Sequence, residues 1–305
     1  MKHNHLLSIA DLSGDEIFSL INDAVELKNK MWTETLKHKS LAILFEKQSA
    51  RTRVSFDLAM NQLGGHAIYL SQAEVGLGTR ESVPDVARVL GRYADAIAAR
   101  TYSHSTIEIL AEYAGVPVIN ALSDYEHPCQ ALADLQTIFE KKGTLRGITL
   151  AYIGDGNNIA NSLALASALT GMNFRIASPE GYNLTQDVLS QVEKNAADSG
   201  STVTLTSSPE EAVTSADVVY TDVWASMGQE SEAEKRRKLF ADYQVNGKLM
   251  ALAKEDAIFM HDLPAHRGEE VTDEVIESVR SVVFDQAENR LHAQKALLVK
   301  LLGSI

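Results

Sequence analysis

Short apolar runs alternate with longer amphipathic segments along the chain. Residues 41–45 are uniformly apolar and predict a buried strand, and residues 52–63 predict a helix that ends at the pair Gly64-Gly65. Ser13 and Glu16 have the spacing of a capping box ahead of an earlier helix. The alternation predicts further strands at 66–70, 94–100, 116–120, 148–153, 174–177, 203–206, 218–221 and 257–261. It predicts further helices at 83–93, 106–114, 128–141, 159–169, 186–197 and from about 287 to 302.

Strands that alternate with helices are typical of parallel sheets covered by helices on both faces. The pattern starts again after residues 142–146, which predicts an α/β protein with two doubly wound domains. We place the first domain at 1–142, completed by the C-terminal helix 287–305, and the second at 143–286. In open sheets of this kind ligands bind beyond the carboxyl ends of the strands, so functional residues should follow strands directly.

Charge and cysteine content narrow the classes of partner. The 305 residues include 28 lysines and arginines and 41 aspartates and glutamates, a formal net charge of −13, so no general attraction to nucleic acid or anionic membrane is expected. An anionic ligand must therefore be held by local arginines. The single cysteine, Cys129, excludes an intrachain disulfide and a thiolate zinc site. Without a signal-peptide pattern or an apolar run near the ~20 residues that span a bilayer, we expect a cytoplasmic protein.

Two clusters at predicted helix starts suit a phosphorylated ligand. Ser49, Arg51, Thr52 and Arg53 follow the first sheet strand, where free backbone N–H groups, hydroxyls and guanidinium groups together suit a phosphate. The alternative is a capped helix with solvated arginines. In the second cluster, residues 127–130, a histidine and a glutamine could polarise a carbonyl and hold an amide, although a capping or core histidine is the simpler interpretation.

Three clusters in the second half are ambiguous taken singly. Residues 153–158 begin like a dinucleotide fingerprint, but Ile159 replaces the third glycine, which favours an ordinary tight turn. Asp222 ends a strand ahead of a loop and suits an ammonium group, or caps a helix. His261 and His266 are five residues apart with a proline between them, which does not match helical zinc ligation, so we predict no metal.

Together the clusters resemble the transcarbamylase family. The matching segments are S-x-R-T-R at 49–53, H-P-x-Q at 127–130, D-x-x-x-S-M-G at 222–228 and P-A-H-R-G-E-E at 264–270. They occur in family order over nearly the whole chain, and the S-M-G loop is similar to that of the ornithine branch. The combination is specific where each segment alone is weak.

The resemblance implies an active site in the cleft between the two domains. It assigns carbamoyl phosphate binding to Ser49, Ala50, Arg51, Thr52, Arg100, His127, Gln130, Asp262, Leu263 and Arg290, the last at the start of the final helix. It assigns ornithine binding to Asn158, Asp222, Ser226 and Met227. Within this set, Arg51, Arg100, His127 and Asp262 are the predicted catalytic residues.

The implied reaction transfers a carbamoyl group from carbamoyl phosphate to the side-chain amine of L-ornithine, without metal or other cofactor. The resemblance also implies a homotrimer, or a multiple of trimers, in which the loop at 70–81 enters the site of the neighbouring chain. Two positions depart from the family pattern, since Asp262 replaces a cysteine and Gly76 replaces glutamine or histidine. The alternatives are therefore another amine such as putrescine or a modified ornithine, or a non-catalytic protein that binds carbamoyl phosphate. A nicotinamide oxidoreductase is disfavoured by the missing glycine.

Overall fold

The computed structural model describes residues 4–225 and 230–303, which form two compact units. The first unit comprises the described residues as far as Gln136 together with those from Glu288 onward, and the second comprises Thr137–Ala287. The domain boundaries given above from the sequence stay a prediction.

The first unit is built on a four-stranded, all-parallel sheet. Its strands are β1 (Ser40–Phe45), β2 (His66–Ser71), β3 (Ala96–Arg100) and β4 (Val118–Leu122), in the order β2-β1-β3-β4. Its helices are α1 (Gly14–Asn29), α2 (Ala50–Gln62), α3 (Gln72–Val75), α4 (Val83–Tyr93) and α5 (His104–Ala114), and α6 (Pro128–Lys142) begins in it. Strand β1 is almost wholly buried, as the apolar run at 41–45 predicted, and β3 is buried as well.

Close backbone packing joins two of these helices. A Cβ atom built on Gly91 in α4 would lie 1.8 Å from the carbonyl oxygen of Ala114 in α5, so a side chain cannot be accommodated there. The capping box at α1 is present, with Ser13 and Glu16 each accepting a backbone N–H of the other. The capping box fixes the start of α1, and Gly91 allows α4 and α5 to pack closely.

The second unit repeats the design with five parallel strands. The strands are β5 (Thr149–Ile153), β6 (Asn173–Ala177), β7 (Val203–Thr206), β8 (Val218–Thr221) and β9 (Ile258–Met260), in the order β7-β6-β5-β8-β9. The helices are α7 (Asn158–Thr170), α8 (Gln186–Ser199), α9 (Pro209–Val213), α10 (Ala233–Leu239), α11 (Gly247–Met250), α12 (Asp273–Ile276) and α13 (Val283–Leu302), which continues into the first unit. Two parallel sheets flanked by helices confirm the predicted fold class.

Helix α13 and the loop at 70–81 differ from the sequence prediction in ways that bear on the candidate site. Helix α13 begins at Val283 rather than near 287, because the Gln286 N–H already bonds to the carbonyl of Val282. Arg290 therefore lies inside this helix, and its predicted place at a helix start is wrong. The loop at 70–81 contains the short helix α3, whose first turn is stabilised by a capping box between Ser71 and Glu74.

A buried lysine joins α13 to α1 within the first unit. The ammonium group of Lys295 donates to the carbonyls of Leu27, Lys30 and Met31 at 3.1, 3.1 and 3.3 Å, which satisfies carbonyls at the end of α1. Among the described helices, none combines the length and the apolar character that crossing a membrane requires.

Candidate active site

The first group of candidate residues lies where the strand order of the first sheet reverses. From β1 the chain moves to β2 on one side and then to β3 on the other, and Phe45 is paired with Arg100 across β1 and β3. The connections leave a crevice beyond the carboxyl ends of these two strands, which is the usual ligand position in open α/β sheets. Just after the strands, the Glu46 N–H donates to the Arg100 carbonyl at 2.8 Å.

Helix α2 opens at this crevice. Ser49 is its N-cap and accepts the Thr52 N–H at 3.3 Å, while the Ser49 hydroxyl lies 3.0 Å from the Thr52 hydroxyl. Ala50 and Arg51 form the exposed first turn of the helix. A helix start of this kind presents backbone donors and the positive end of the helix dipole, which suit an anion.

A buried guanidinium group reaches the same helix turn from the body of α13. Arg290 Nη2 donates to the Thr52 hydroxyl at 2.8 Å, and both side chains are buried. Arg100, at the end of β3, is also buried. Burying cationic groups is costly, and an anionic ligand at this position would offset part of that cost.

Residues at the start of α6 complete the group in the first unit. Burial above all, with Arg290 and Arg100 adding to it, holds the pKa of His127 well below its usual range, so the ring is neutral near pH 7. Gln130 donates to Asp134 at 2.8 Å, and its carbonyl oxygen is buried with no hydrogen-bond partner among the described residues. Burial raises the pKa of the Cys129 thiol to about 12, so this side chain is a packing residue rather than a nucleophile.

The second group of candidate residues lies at the strand-order reversal of the second sheet. Strand β5 has β6 on one side and β8 on the other, and Ile153 is paired with Thr221 near the carboxyl ends of β5 and β8. Asp222 follows β8 directly and is almost fully buried. Its carboxylate accepts the Asn157 side-chain N–H and the Val223 N–H, both at 2.7 Å.

Asp222 is contacted by Asn157, the N-cap of α7, whereas the sequence analysis singled out the next residue, Asn158. Asn157 accepts the N–H groups of Ile159 and Ala160 and also donates to Asp222. Asn158 is the first helical residue. The amide of Asn157 can serve both contacts because its oxygen and nitrogen point in different directions.

Asp262 and His261 lie beside Asp222. One ligand atom from each of these three residues falls within 4.8 Å of the others. His261 Nδ1 accepts the Leu263 N–H at 2.9 Å, and Nε2 lies 3.1 Å from the carboxylate of the fully buried Glu270. Because both ring nitrogens are engaged, the ring is not available as a metal ligand in this arrangement. The two aspartates instead suit an ammonium group.

The negative character of this region is evident at a neighbouring tyrosine. Burial, followed by the charges of Asp222, Asp155 and Asp262, raises the pKa of Tyr152 well above its ordinary value. Its hydroxyl donates to Asn157 at 3.3 Å. The first unit thus gathers positive charge at its sheet reversal, and the second gathers negative charge at its own.

Comparison with known proteins identifies the family. Residues 4–140 match the carbamoyl-P binding domain of aspartate/ornithine carbamoyltransferase, and residues 146–301 match its Asp/Orn binding domain. This chain belongs to the aspartate/ornithine carbamoyltransferase family.

Members of this family named ornithine carbamoyltransferase align along the whole chain. One from Pyrococcus abyssi is 54% identical over 311 residues, covering 100% of this chain and 98% of the relative. One from Anoxybacillus flavithermus is 55% identical over 306 residues, covering 99% and 98%. The solved structure of the Pyrococcus furiosus enzyme superposes with a TM-score of 0.96 at 54% identity, covering 99% and 97%.

The family assignment leaves the individual site residues as predictions. The structure brings together Ser49, Thr52 and Arg290 by hydrogen bonds, and His127 with the two buried arginines by charge. Ser226 and Met227 lie outside the described residues.

Several residues of the second site escaped the sequence analysis. Asn157 contacts Asp222, Glu270 faces His261, and Asp155 pairs with Arg236. Asn157 had a local signal, because asparagine is a preferred N-cap residue ahead of a predicted helix. No local sequence signal predicted that Glu270 faces His261 or that Arg236 pairs with Asp155, because both contacts depend on chain packing.

The pKa of His127 predicts a pH dependence of stability. The unfolded ring titrates near pH 6.5, whereas the folded ring stays neutral well below that value. The folded state therefore binds fewer protons, and stability present above about pH 6.5 is lost as the pH falls. Urea unfolding measures the free energy of unfolding at pH 8 and at pH 5. Between these two values it should fall by about 1–2 kcal/mol more for the wild type than for His127→Gln. His66→Gln controls for loss of an exposed imidazole, and a difference that does not vary with pH would contradict a buried neutral ring.

Proposed function

We propose that this protein transfers the carbamoyl group of carbamoyl phosphate to the side-chain amine of L-ornithine, giving L-citrulline and phosphate. The observation that carries the proposal is the buried group formed by Thr52, Arg100, His127 and Arg290 at a helix start in a protein of net charge −13. Family membership supports the same reaction. A role in arginine biosynthesis and a cytoplasmic location belong to this proposal.

The phosphate end of the reaction falls to the first unit. Arg51, Arg100 and Arg290 stabilise the charge that grows on the departing phosphate. The neutral ring of His127 and the hydroxyl of Thr52 donate to the carbonyl oxygen as it becomes an oxyanion. Preorganised donors in a buried site are effective here because they need no rearrangement during the reaction.

The remaining contacts are those to the amide group of the ligand and those from the helix backbone to its phosphate. The buried oxygen of Gln130 is an acceptor suited to the amide N–H groups of the ligand. Ser49 and the backbone of Ala50 hold phosphate oxygens. The amine nitrogen attacks the carbonyl carbon, the bond from that carbon to the phosphate oxygen breaks, and the amine loses a proton. No metal or organic cofactor is required, because the phosphate is already a good leaving group.

The amine end falls to the second unit. Asp222 and Asp262 attract the cationic amino acid, and Asn158, Ser226, Met227 and Leu263 complete the proposed contacts. If Asp262 instead accepts the proton that the amine loses, its replacement by cysteine slows turnover, and the pH–rate comparison below separates the two roles.

A panel of amines tests the proposal against its alternatives. Citrulline formation from carbamoyl phosphate and L-ornithine, faster than carbamoylation of putrescine or Nα-acetylornithine, would support it. A preference for another amine would leave the carbamoyl transfer but change the substrate. Absence of product from every amine, with carbamoyl phosphate still bound, would favour a non-catalytic binding protein.

Replacement of Arg51 by leucine is expected to weaken carbamoyl phosphate binding. A lost hydrogen bond to a charged group costs about 1.5–3 kcal/mol, which corresponds to a roughly 10- to 150-fold higher dissociation constant. Isothermal titration of wild type and Arg51→Leu measures the change. Arg92→Leu, an exposed arginine in the last turn of α4, is the control. Equal dissociation constants for wild type and Arg51→Leu would overturn the assignment.

Asp262 predicts an alkaline displacement of the activity optimum. A carboxylate beside the attacking nitrogen favours the ammonium form, which has no lone pair, so the reactive fraction grows as the pH rises. Asp262→Cys should therefore turn over faster near pH 7 and reach its optimum at lower pH. The pH–rate profiles of the two proteins measure this, with the exposed Asp242→Cys as control. Coincident profiles would mean that Asp262 does not face the amine.

The loop at 70–81 supports a shared site in an oligomer. Its Thr79, Arg80 and Glu81 are exposed, while Leu77 is buried and anchors the loop. We propose a homotrimer, or a multiple of trimers, in which this polar loop contacts a neighbouring chain. Sedimentation equilibrium should give three, or a multiple of three, chains of 33.3 kDa. An active monomer at assay concentration would contradict this.

A further inference from the structure

A buried ion pair lies beside Asp222 in the second unit. Arg236 Nη1 donates to Asp155 Oδ2 at 2.6 Å, and both side chains are largely withdrawn from solvent. The guanidinium group also lies over the ring of Tyr182, with its central carbon 5.0 Å from the ring centroid. The reaction proposed above assigns no role to this pair.

The same guanidinium group holds the backbone that follows Asp222. Arg236 Nη1 donates to the Trp224 carbonyl at 2.9 Å, two residues after Asp222. Its Nε donates to the carboxylate of Glu232 at 3.3 Å. One side chain on α10 therefore links the turn after β5 with the segment after β8.

Those two segments also meet at the carboxylate of Asp222. Asn157, two residues after Asp155, donates to Asp222 at 2.7 Å. Asp222 is thus held by the turn on one side, and the turn is held to the segment after Asp222 by Arg236. Two separate ties, one through Asn157 and one through Arg236, fix the position of a single carboxylate.

The turn itself has little freedom to compensate for a lost tie. The Gly156 N–H donates to the Tyr182 carbonyl at 2.7 Å. A Cβ atom built on Gly156 would lie 2.4 Å from the carbonyl carbon of Asn183. The turn is therefore seated against a second backbone segment, and Arg236 closes its other side.

We propose that Arg236, paired with Asp155, is a positioning residue that holds Asp222 in place for the cationic amino acid and so determines affinity for that substrate. The proposal rests on the proposed function, because it takes Asp222 as the contact for the substrate ammonium group. Arg236 acts through Asp155 and the Trp224 backbone and does not itself touch the substrate.

Electrostatics give the pair a second effect on Asp222. Burial is the main cause that raises the pKa of Asp155, the charge of Asp222 adds to it, and Arg236 opposes both. Without the guanidinium group, two neighbouring carboxylates would repel each other in a buried site. The guanidinium group of Arg236 therefore offsets the repulsion between Asp155 and Asp222.

Steady-state kinetics with both substrates varied separately tests the proposal. Arg236→Gln is expected to raise the KM for L-ornithine about tenfold or more while the KM for carbamoyl phosphate changes less than about twofold. Asp155→Asn removes the other half of the pair and should act in the same direction. Arg236→Lys keeps the charge but cannot reach all three partners from one planar group, so an intermediate KM is expected.

A neighbouring arginine provides the matched control. Arg237 is exposed and pairs with Glu269 at the surface, so Arg237→Gln should leave both KM values unchanged. If Arg236→Gln does not fold, Arg236→Lys and Asp155→Asn carry the test. An unchanged ornithine KM in the folded variants, or equal rises in both KM values, would overturn the proposal. Absence of citrulline formation by the wild type would instead refute the proposed function.

Discussion

Both sheets place their first strand in the middle, and the chain leaves that strand to one side and later returns on the other. Because helical connections cover the two sides separately, a crevice stays open beyond the carboxyl ends of the central strands. Ser49 and Arg100 lie at the crevice of the first unit, and Asp155 and Asp222 lie at the crevice of the second. The rest of each candidate site is assembled around this single topological constraint.

The two crevices carry opposite charge within an acidic protein. In the first, buried arginines and the helix start create a positive environment in which His127 stays neutral. In the second, burial first and then the clustered carboxylates raise the pKa of Tyr152, and the carboxylates favour a cationic ligand. Each arrangement is costly to bury without its ligand, which explains why so many polar side chains in these regions are tied by hydrogen bonds to backbone or to one another. A dianion and an ammonium group are the chemical complements of these two environments.

Several residues of the second site hold the side chains of other site residues in position. Asn157 caps α7 and orients Asp222, and Glu270 orients His261 and accepts the His266 N–H. The backbone of Leu263, with a φ of 58°, adopts a left-handed conformation that a leucine rarely takes, and its N–H is held by His261. A network of this kind fixes side-chain positions because each member has few alternative partners once it is buried.

Local pattern determined much of this protein by itself. Apolar runs and capping residues located the strands and most helices, and α4 has the predicted bounds. They also indicated a helix start near the cluster at 49–53, where the N-cap bond from Thr52 to Ser49 joins residues only three apart. Only the tertiary structure decided the contacts of Arg290 with Thr52, which are 238 residues apart, and of Arg236 with Asp155. Such contacts depend on how whole elements pack, and no periodicity along the chain encodes which distant side chain a buried charge will meet.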